Sequence, residues 1–262
     1  MDERIAVANR IVKDGGQLIL DAFQTSLTVH EKTIHDYVTE VDLKIETAFD
    51  EEIARLFPND AVLGEENELI AGSSGYLWVI DPLDGTNNFV KGIPQSGIQI
   101  AIHKDGQVVY AAIYNPYVSQ LYSAQRGQGA YIEDFAKGYR SALKVSDVSL
   151  TDSMMIFDSS IADGKHPEID VFNAFMGKIG WLRIYGVAVL DLPFVAKGSA
   201  DILISNVPKA VDIAPGCLLI EEAGGKVTDF EGKPWSLKSK NIIAASSSNH
   251  AEALRIIQNV NN

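Results

Sequence analysis

The stretch WVIDPLDGTNNF, residues 78–89, places two acids in a tight turn directly after an apolar run. The run from Trp78 to Ile80 is typical of a buried strand, and Asp81, Pro82 and Asp84 follow it at once. Two carboxylates that share a site repel each other, so a turn that gathers them favours a cation beside them. Pro, Asp and Gly are also ordinary turn formers. A solvated Asp-Gly turn is therefore the alternative that this stretch leaves open.

The bulk composition predicts a soluble globular protein. The chain has 262 residues, of which 46% are hydrophobic, and can bury one large core or two closely packed domains. Its net charge of -13 repels phosphate backbones, which argues against a nucleic-acid partner. Cys217, the single cysteine, cannot form an internal disulfide, and this favours a reducing compartment. No signal peptide or membrane span is recognised, so we predict a cytoplasmic protein with no membrane partner.

Apolar periodicity in the first half of the chain predicts helices over residues 3–24 and 39–57. Thr39 is the predicted N-cap of the second helix, which puts Asp42 in the first turn, where the helix dipole favours a carboxylate. Short β signals follow, with a hairpin turn at Asp105 and Gly106. The polar segment 28–38, between the two helices, is predicted to be a loop.

The second half of the chain alternates between strand and helix signals. Strands are predicted over residues 154–160 and 202–204, and helices near 169–179, 187–196 and 212–223. A polar passage over 142–152 predicts a boundary between an N-terminal domain, 1–145, and a C-terminal domain, 146–262. Helices stacked on antiparallel and mixed sheets predict a layered α+β fold.

Three further acids lie where predicted elements begin or end. Asp42 opens the second helix, Glu65 follows a strand, and Asp212 begins a later helix. Taken singly, Asp212 is explained by capping and Glu65 by surface exposure. As a set with Asp81 and Asp84 they suit Mg²⁺, which prefers near-octahedral oxygen ligands. Two such cations a few ångströms apart are the arrangement used for in-line displacement at phosphorus.

Four blocks of sequence, in this order, resemble the inositol monophosphatase family, a group of Mg²⁺-dependent, lithium-sensitive phosphomonoesterases. They are DYVTEVD (36–42), GEE (64–66), DPLDGTNNF (81–89) and VDIAPG (211–216). The third block is the most specific, and the resemblance runs from the first helix to the last. It implies a layered αβαβα sandwich of the sugar-phosphatase type. An N-terminal α+β part would carry most metal ligands, and a C-terminal α/β part would carry Asp212 and the leaving-group pocket.

The resemblance also implies a role for each matching residue. Two to three Mg²⁺ ions would be held by Glu65, Asp81, the carbonyl of Leu83, Asp84 and Asp212. The catalytic residues would be Asp42, Glu65 and Thr86, with Thr86 hydrogen-bonded to Asp42 so that the pair polarises the attacking water. The substrate would be bound by Leu83, Asp84, Gly85, Thr86, Gly186, Val187, Ala188, Ser205 and Asp212. A homodimer is implied as well.

The leaving-group side departs from the family pattern. Val187 stands where many members have a hydroxyl residue, and Ser205 stands where animal members have an acid that binds inositol hydroxyls. The loss of that acid predicts tolerance of bulkier or more anionic esters. Inositol 1-phosphate, fructose 1,6-bisphosphate, adenosine 3′,5′-bisphosphate and the 2′-phosphate of NADP(H) all remain open as substrates.

Two other readings of the acids compete with this one. A haloacid-dehalogenase-like phosphatase would use Asp81 as a covalent nucleophile, but its DxDx[TV] motif has the second acid one residue closer than Asp84. A regulatory protein could keep the cation site without catalysis. Such a protein would have no need of a water-activating pair, so Asp42 and Thr86 argue against it.

Overall fold

The computed structural model describes residues 1–25, 28–33, 36–67, 69–158, 167–206 and 209–260. Over these ranges the helices are α1 (Asp2–Ala22), α2 (Glu40–Leu56), α3 (Thr86–Val90), α4 (Pro167–Phe175), α5 (Ala188–Ala196), α6 (Ala210–Glu222) and α7 (Ser247–Val260). The strands are β1 (Val29–Thr33), β2 (Asp36–Thr39), β3 (Ala61–Leu63), β4 (Tyr76–Asp84), β5 (Gly97–Lys104), β6 (Gln107–Asn115), β7 (Gln120–Gln125), β8 (Gly129–Asp134), β9 (Tyr139–Ala142), β10 (Met154–Asp158), β11 (Trp181–Arg183), β12 (Ile202–Ser205), β13 (Lys226–Thr228) and β14 (Ile242–Ala245).

The large sheet contains β3 to β9 in chain order. Its β3–β4 pair is parallel and the pairs from β4 to β9 are antiparallel. Helices α1 and α2 cover one face, where Ile11 and Phe49 join a core with Trp78 and Ile100. Alternation along β4 sends Val79 and Asp81 to the opposite face. The acid that follows the apolar run is thereby placed on the inner side of the sheet.

The small sheet has the strand order β11-β10-β12-β14-β13. Strand β10 runs parallel to β11 and β12, while β14 is antiparallel to both β12 and β13. Helices α4 and α7 cover its outer face, where Phe175 and Ile257 pack with Met155 and Ile243. Because β10 and β12 are parallel, their carboxyl ends, Asp158 and Ser205, lie side by side.

Helices α5 and α6 form a middle layer between the two sheets. Val195 and Cys217 belong to one core with Val79 of the large sheet and Leu203 of the small sheet. Over the described residues the layers are therefore α1/α2, large sheet, α5/α6, small sheet and α4/α7. This arrangement confirms the predicted α+β fold with αβαβα layers. The division at residue 145 stays a prediction.

Most predicted helices are confirmed within a few residues, and the hairpin turn at Asp105 and Gly106 joins β5 to β6. The loop predicted over residues 28–38 is wrong where the structure describes it, because β1 and β2 pair antiparallel there. The edge strand β11 was not predicted; it is short, and its burial pattern is mostly exposed. No helix in the described part of the chain has the length and apolar character needed to cross a membrane.

Candidate active site

A β-bulge at the end of β4 gathers the two acids of the DPLD stretch. Asp81 pairs with Gln99 of β5, and Asp84 pairs with Gly97, so three steps along β4 match two steps along β5. Gln99 and Gly97 are two residues apart on β5 and therefore lie on the same face of that strand. The one extra residue in β4 shifts its alternation, so that their partners Asp81 and Asp84 also lie on one face. Pro82 falls within the irregularity, where a missing N–H is tolerated. The turn predicted after Ile80 is thus a bulge inside a strand that runs to Asp84.

Three acids from distant parts of the chain converge beside this bulge. Oxygen atoms of Glu65, Asp81 and Asp212 all lie within 4.8 Å of one another. Asp84 lines the same cavity, and its Oδ2 accepts the backbone N–H of Val189 at the start of α5. The cavity has a volume of about 130 Å³ and is lined by Tyr37, Glu65, Asp81, Leu83, Asp84, Gly85, Thr86, Asn87, Gly186, Lys209 and Asp212.

The electrostatics of this cluster favour a bound cation. Burial, followed by the charges of Glu65, Asp84 and Asp212, holds the pKa of Asp81 well above its usual range. Burial and the charge of Asp212 act in the same way on the pKa of Asp84. Burial and the charge of Glu65 raise the pKa of Asp212 to about 7. A cation among these oxygens would remove the repulsion, so the donor set fits a hard, oxygen-binding ion such as Mg²⁺.

Asp42 and Thr86 meet at the edge of the same cavity. The Thr86 hydroxyl lies 3.0 Å from Asp42 Oδ1 and 2.9 Å from the carbonyl oxygen of Leu83. Asp42 Oδ2 accepts the N–H of Thr39 at 2.8 Å and its hydroxyl, forming a capping box at the start of α2. Burial raises the pKa of Asp42, and the hydrogen bonds from Thr39 and Thr86 oppose this rise. The cap thus fixes the carboxylate that faces Thr86.

Glu65 is positioned by a buried carboxylate that the sequence did not single out. The side chain of Glu46 in α2 accepts the backbone N–H groups of Glu66 and Asn67, at 3.0 and 2.8 Å. These bonds hold the turn after β3 against α2. Lys209 Nζ, just before α6, donates to Glu65 Oε1 at 2.8 Å. The ammonium group of Lys209 therefore offsets part of the negative charge of the cluster.

Gln99 supports Asp81 from the neighbouring strand. Its Nε2 lies 3.3 Å from Asp81 Oδ2, while Asp81 Oδ1 accepts the N–H of Leu83 at 3.1 Å. Both oxygens of the carboxylate are thus oriented by donors, and each keeps lone pairs for another ligand. Hydrogen bonds of this kind fix the geometry of metal-ligating carboxylates.

The predicted leaving-group residues lie in different surroundings. Gly186, at a φ of 66°, lines the cavity together with Asp212. Val187 is buried in the middle-layer core, and its Cγ2 lies 2.8 Å from the place where a Cβ on Gly85 would be. Ala188 is half-buried in the first turn of α5, and Ser205 is buried. The roles predicted for Val187, Ala188 and Ser205 stay predictions.

Several residues around the cavity were missed at the level of sequence. Tyr37, Asn87 and Lys209 line it. Glu46 and Gln99 do not, but they hydrogen-bond to the turn that carries Glu65 and to Asp81. Asn87 and Tyr37 lie within sequence blocks that resemble the family, so their position next to predicted site residues in the sequence could have identified them. Gln99 had no such signal, because only the pairing of β4 with β5 places it beside Asp81.

Comparison with known proteins gives matches along the whole chain. The model of the inositol monophosphatase family matches residues 1–262. The inositol-1-monophosphatase of Rhizobium meliloti is 37% identical over 250 residues, which cover 94% of this chain and 91% of the relative. Nus factor SuhB of Pseudomonas aeruginosa is 33% identical over 266 residues, which cover 98% and 97%. The crystal structure of the extragenic suppressor protein suhB from Bartonella henselae has a TM-score of 0.90 at 32% identity, covering 97% of this chain and 98% of that one.

Fold and site together define a class, the layered αβαβα proteins with an acidic cleft at the ends of their middle-layer helices. The family match spans residues 1–262 and therefore covers both sheets and the cleft. The chain belongs to the inositol monophosphatase family. Membership of this family supports a phosphomonoesterase type of activity.

Proposed function

We propose that this protein hydrolyses a small-molecule phosphomonoester in a Mg²⁺-dependent reaction. The observation that carries the proposal is the Thr86–Asp42 hydrogen bond, 3.0 Å long, at the edge of the cavity that contains Glu65, Asp81 and Asp212. A protein that only stores a cation needs the acids alone. A hydroxyl–carboxylate pair facing the same cavity is what water activation requires.

The residues that would hold two to three Mg²⁺ ions are Glu65, Asp81, the carbonyl of Leu83, Asp84 and Asp212. When bound, the metal would supply Lewis-acid stabilisation of charge on the phosphoryl oxygens and the leaving oxygen. Gly85 adopts a left-handed conformation, at a φ of 85°, directly before α3. It allows the backbone N–H groups of Gly85 and Thr86 to be presented to the phosphate.

Thr86 and Asp42 would act on the attacking water. The Thr86 hydroxyl donates its proton to Asp42 or to Leu83, which leaves the oxygen lone pairs available to accept a hydrogen bond from water. Asp42 is 1% exposed, and burial raises its pKa, which makes the carboxylate a better proton acceptor than an ordinary aspartate. The pair would orient the water and stabilise the proton that it loses.

The leading substrate class is an inositol 1-phosphate-like ester. Fructose 1,6-bisphosphate, NADP(H) and adenosine 3′,5′-bisphosphate are the alternatives with the same chemistry. The cluster of acids serves only the scissile phosphate, so the leaving group is selected by weak contacts, each worth roughly 1–3 kcal/mol. Initial rates over this panel, at a fixed Mg²⁺ concentration and after EDTA treatment, test the proposal. Phosphate release that is unchanged by EDTA, or absent for every ester, would overturn it.

A non-enzymatic, cation-binding regulatory role is the competing function. It is raised by relatives that carry the name Nus factor SuhB. Bound Mg²⁺ with no turnover of any phosphomonoester would support it. A phosphoenzyme trapped on Asp81 would instead favour the covalent mechanism of the haloacid-dehalogenase-like phosphatases.

The partners of the protein are part of the proposal. A homodimer, a cytoplasmic location and the absence of nucleic-acid and membrane partners are proposed together. The net charge of -13 supports the lack of nucleic-acid binding, since like charges repel. Light scattering of the purified protein would measure the oligomeric state, and titration of labelled RNA would measure its affinity for nucleic acid.

A further inference from the structure

A second cavity, larger than that of the active site, lies between the large sheet and the carboxyl end of α6. Its volume is about 460 Å³, and the residues that line it include His103, Val108, Arg126, Glu221, Trp235 and Leu237. None of its lining residues lines the active-site cavity. His103 is four residues beyond Gln99 on β5, and Glu221 is nine residues beyond Asp212 on α6, which is about 13 Å along either element. A small molecule held here would not touch the acids of the cleft.

Glu221 fixes two of the side chains that line this second cavity. Its Oε1 accepts the indole N–H of Trp235 at 2.8 Å, and its Oε2 lies 3.0 Å from Arg126 Nη1. Arg126 Nε donates to the carbonyl oxygen of Val108 at 2.8 Å. The indole ring and the guanidinium group are thus held by contacts within the protein. A ligand would therefore meet a wall that is already ordered, which lowers the entropy cost of binding.

The described lining of the second cavity carries no net charge. Its two charged residues, Arg126 and Glu221, form an ion pair with each other. Burial lowers the pKa of His103 to about 4, so its imidazole is uncharged near pH 7. A charged ligand would leave water without gaining a counterion, which costs far more than the transfer of a neutral polar group. The cavity therefore favours a neutral ligand.

His103 supplies a polar group, and other residues supply apolar surface. Its side chain is buried, at 3% exposure, and no described residue hydrogen-bonds to its Nε2. Buried polar atoms nearly always have a partner, so this nitrogen is suited to pair with a ligand. Val108, Leu237 and the indole of Trp235 line the same cavity. A flat ring with a polar edge matches this combination, because aromatic rings pack well on an indole.

We infer that the second cavity is a binding site for a neutral heteroaromatic compound of nucleoside size, whose ring packs against Trp235 and whose polar edge hydrogen-bonds to His103. The volume of about 460 Å³ lies in the usual range for small-molecule sites. The inference goes beyond the proposed function and does not depend on it, since the described linings of the two cavities have no residue in common.

The test uses adenosine as the neutral probe and adenosine 5′-phosphate as its charged counterpart. Both are titrated by calorimetry into the full-length protein in EDTA, so that no metal in the cleft attracts the phosphate. We expect adenosine to bind saturably with a Kd of about 1 mM or tighter. Adenosine 5′-phosphate should bind more weakly, because the lining offers its charge no free counterion. Adenosine that does not saturate, or that binds no more tightly than its phosphate, would overturn the inference.

Two variants locate the bound adenosine. Adenosine should change the tryptophan fluorescence of the wild type, and this change should be lost in Trp235→Phe. Trp181→Phe is the matched control, since Trp181 is 56% exposed on β11 and does not line the cavity; it should keep the change. His103→Phe should weaken adenosine binding about 3- to 10-fold, the scale of one hydrogen bond. The Tm of the ligand-free variant should not fall, because the phenyl ring buries no unpaired nitrogen.

The inference is wrong if the fluorescence change persists in Trp235→Phe, since adenosine then binds elsewhere. It is also wrong if His103→Phe, folded as judged by its Tm, binds adenosine as tightly as the wild type. Trp235→Phe changes a half-buried side chain after β13 and tests the site even if His103→Phe does not fold. Hydrolysis of phosphomonoesters is not a readout of these experiments, so their failure would leave the proposed function standing.

Discussion

Thr86 has one hydroxyl proton and two acceptors within reach. The distances to Asp42 Oδ1 and to the Leu83 carbonyl, 3.0 and 2.9 Å, are nearly equal. The proton can serve one acceptor at a time, so the hydroxyl can turn as the charge on Asp42 changes. A structural threonine would need only the backbone acceptor. The second acceptor, a buried carboxylate, is what ties this side chain to proton transfer.

Replacing Thr86 by Ala should therefore affect turnover far more than metal binding. We expect kcat to fall about 10²-fold or more, the usual scale for general-base contributions. The Mg²⁺ dissociation constant, measured by calorimetry, should change much less, because the hydroxyl is not assigned as a ligand. Thr86→Ser, which keeps the hydroxyl, is the matched control and should retain most of kcat. Comparable losses in kcat and in Mg²⁺ affinity would mean that Thr86 is structural.

Asp84 is the acid whose removal should separate activity from folding. One of its oxygens is engaged by the Val189 N–H, which an amide oxygen can still accept, so Asp84→Asn should keep the fold. An amide supplies less charge to a hard cation, and most activity should be lost. Asp105→Asn, an exposed acid at a φ of 50° in the β5–β6 turn, is the control. Near wild-type turnover of Asp84→Asn in millimolar Mg²⁺ would contradict the assignment of Asp84 to the metal.

At the scale of elements, the middle layer depends on close contact between α5 and α6. A Cβ added at Gly216 of α6 would lie 2.4 Å from both Cβ and Cδ1 of Leu192 in α5. The Cβ of Leu192 is fixed by the backbone of its own helix, so the clash cannot be relieved by a rotamer change alone. Gly216 therefore sets the distance between two helices whose first turns carry Asp212 and Asp191.

Gly216→Ala should destabilise the protein, and Gly15→Ala is the matched comparison. Both sites lie within helices and gain about 1 kcal/mol of helix propensity. At Gly15 of α1 the shortest new contact, 2.5 Å, is with Ile98 Cδ1, the mobile end of a side chain. We expect Gly216→Ala to lower the free energy of unfolding by about 1–2 kcal/mol, because overpacking outweighs propensity. Urea denaturation checks this, and an equal or larger loss for Gly15→Ala would contradict it.

The elements that sequence could and could not predict differ in how local their signals are. Helices α1 and α2 follow from apolar periodicity, and the hairpin at Asp105 follows from its Asp-Gly pair. The β1–β2 pair is polar and carries no apolar alternation, so nothing local distinguished it from a loop. The bulge in β4 was read as a turn, because only the register with β5 shows that the strand continues to Asp84.

For the whole molecule, the cleft depends on contacts between residues far apart in the chain. The residue blocks predicted that Glu65, Asp81 and Asp212 belong together, and the fold brings their oxygens within 4.8 Å. The supporting groups were out of reach of sequence. Lys209 contacts Glu65 across 144 positions, and Glu46 reaches the turn after β3 from α2. Side chains that act through packing of two layers have no pattern along the chain to identify them.

The cleft should couple the stability of the whole molecule to pH and to Mg²⁺. In the metal-free protein the pKa of Asp212 is raised from 3.8 to about 7, and those of Asp81 and Asp84 are raised as well. A raised pKa in the folded state favours folding at low pH, and this stabilisation is lost as pH rises from about 4 through about 7.

Mg²⁺ binds the ionised carboxylates, so the stabilisation that it gives should increase over the same pH range in which the stability of the metal-free protein decreases. We expect the increase in Tm on replacing EDTA by millimolar Mg²⁺ to be larger at about pH 8 than at about pH 6, measured by scanning calorimetry. In Asp212→Asn, the carboxyl group with a pKa of about 7 is absent, so the Tm increase on adding Mg²⁺ should differ less between the two pH values. Asp105→Asn, on the exposed hairpin, should behave as the wild type. A Tm increase that is the same at both pH values in the wild type would show that protons and Mg²⁺ do not compete for these acids.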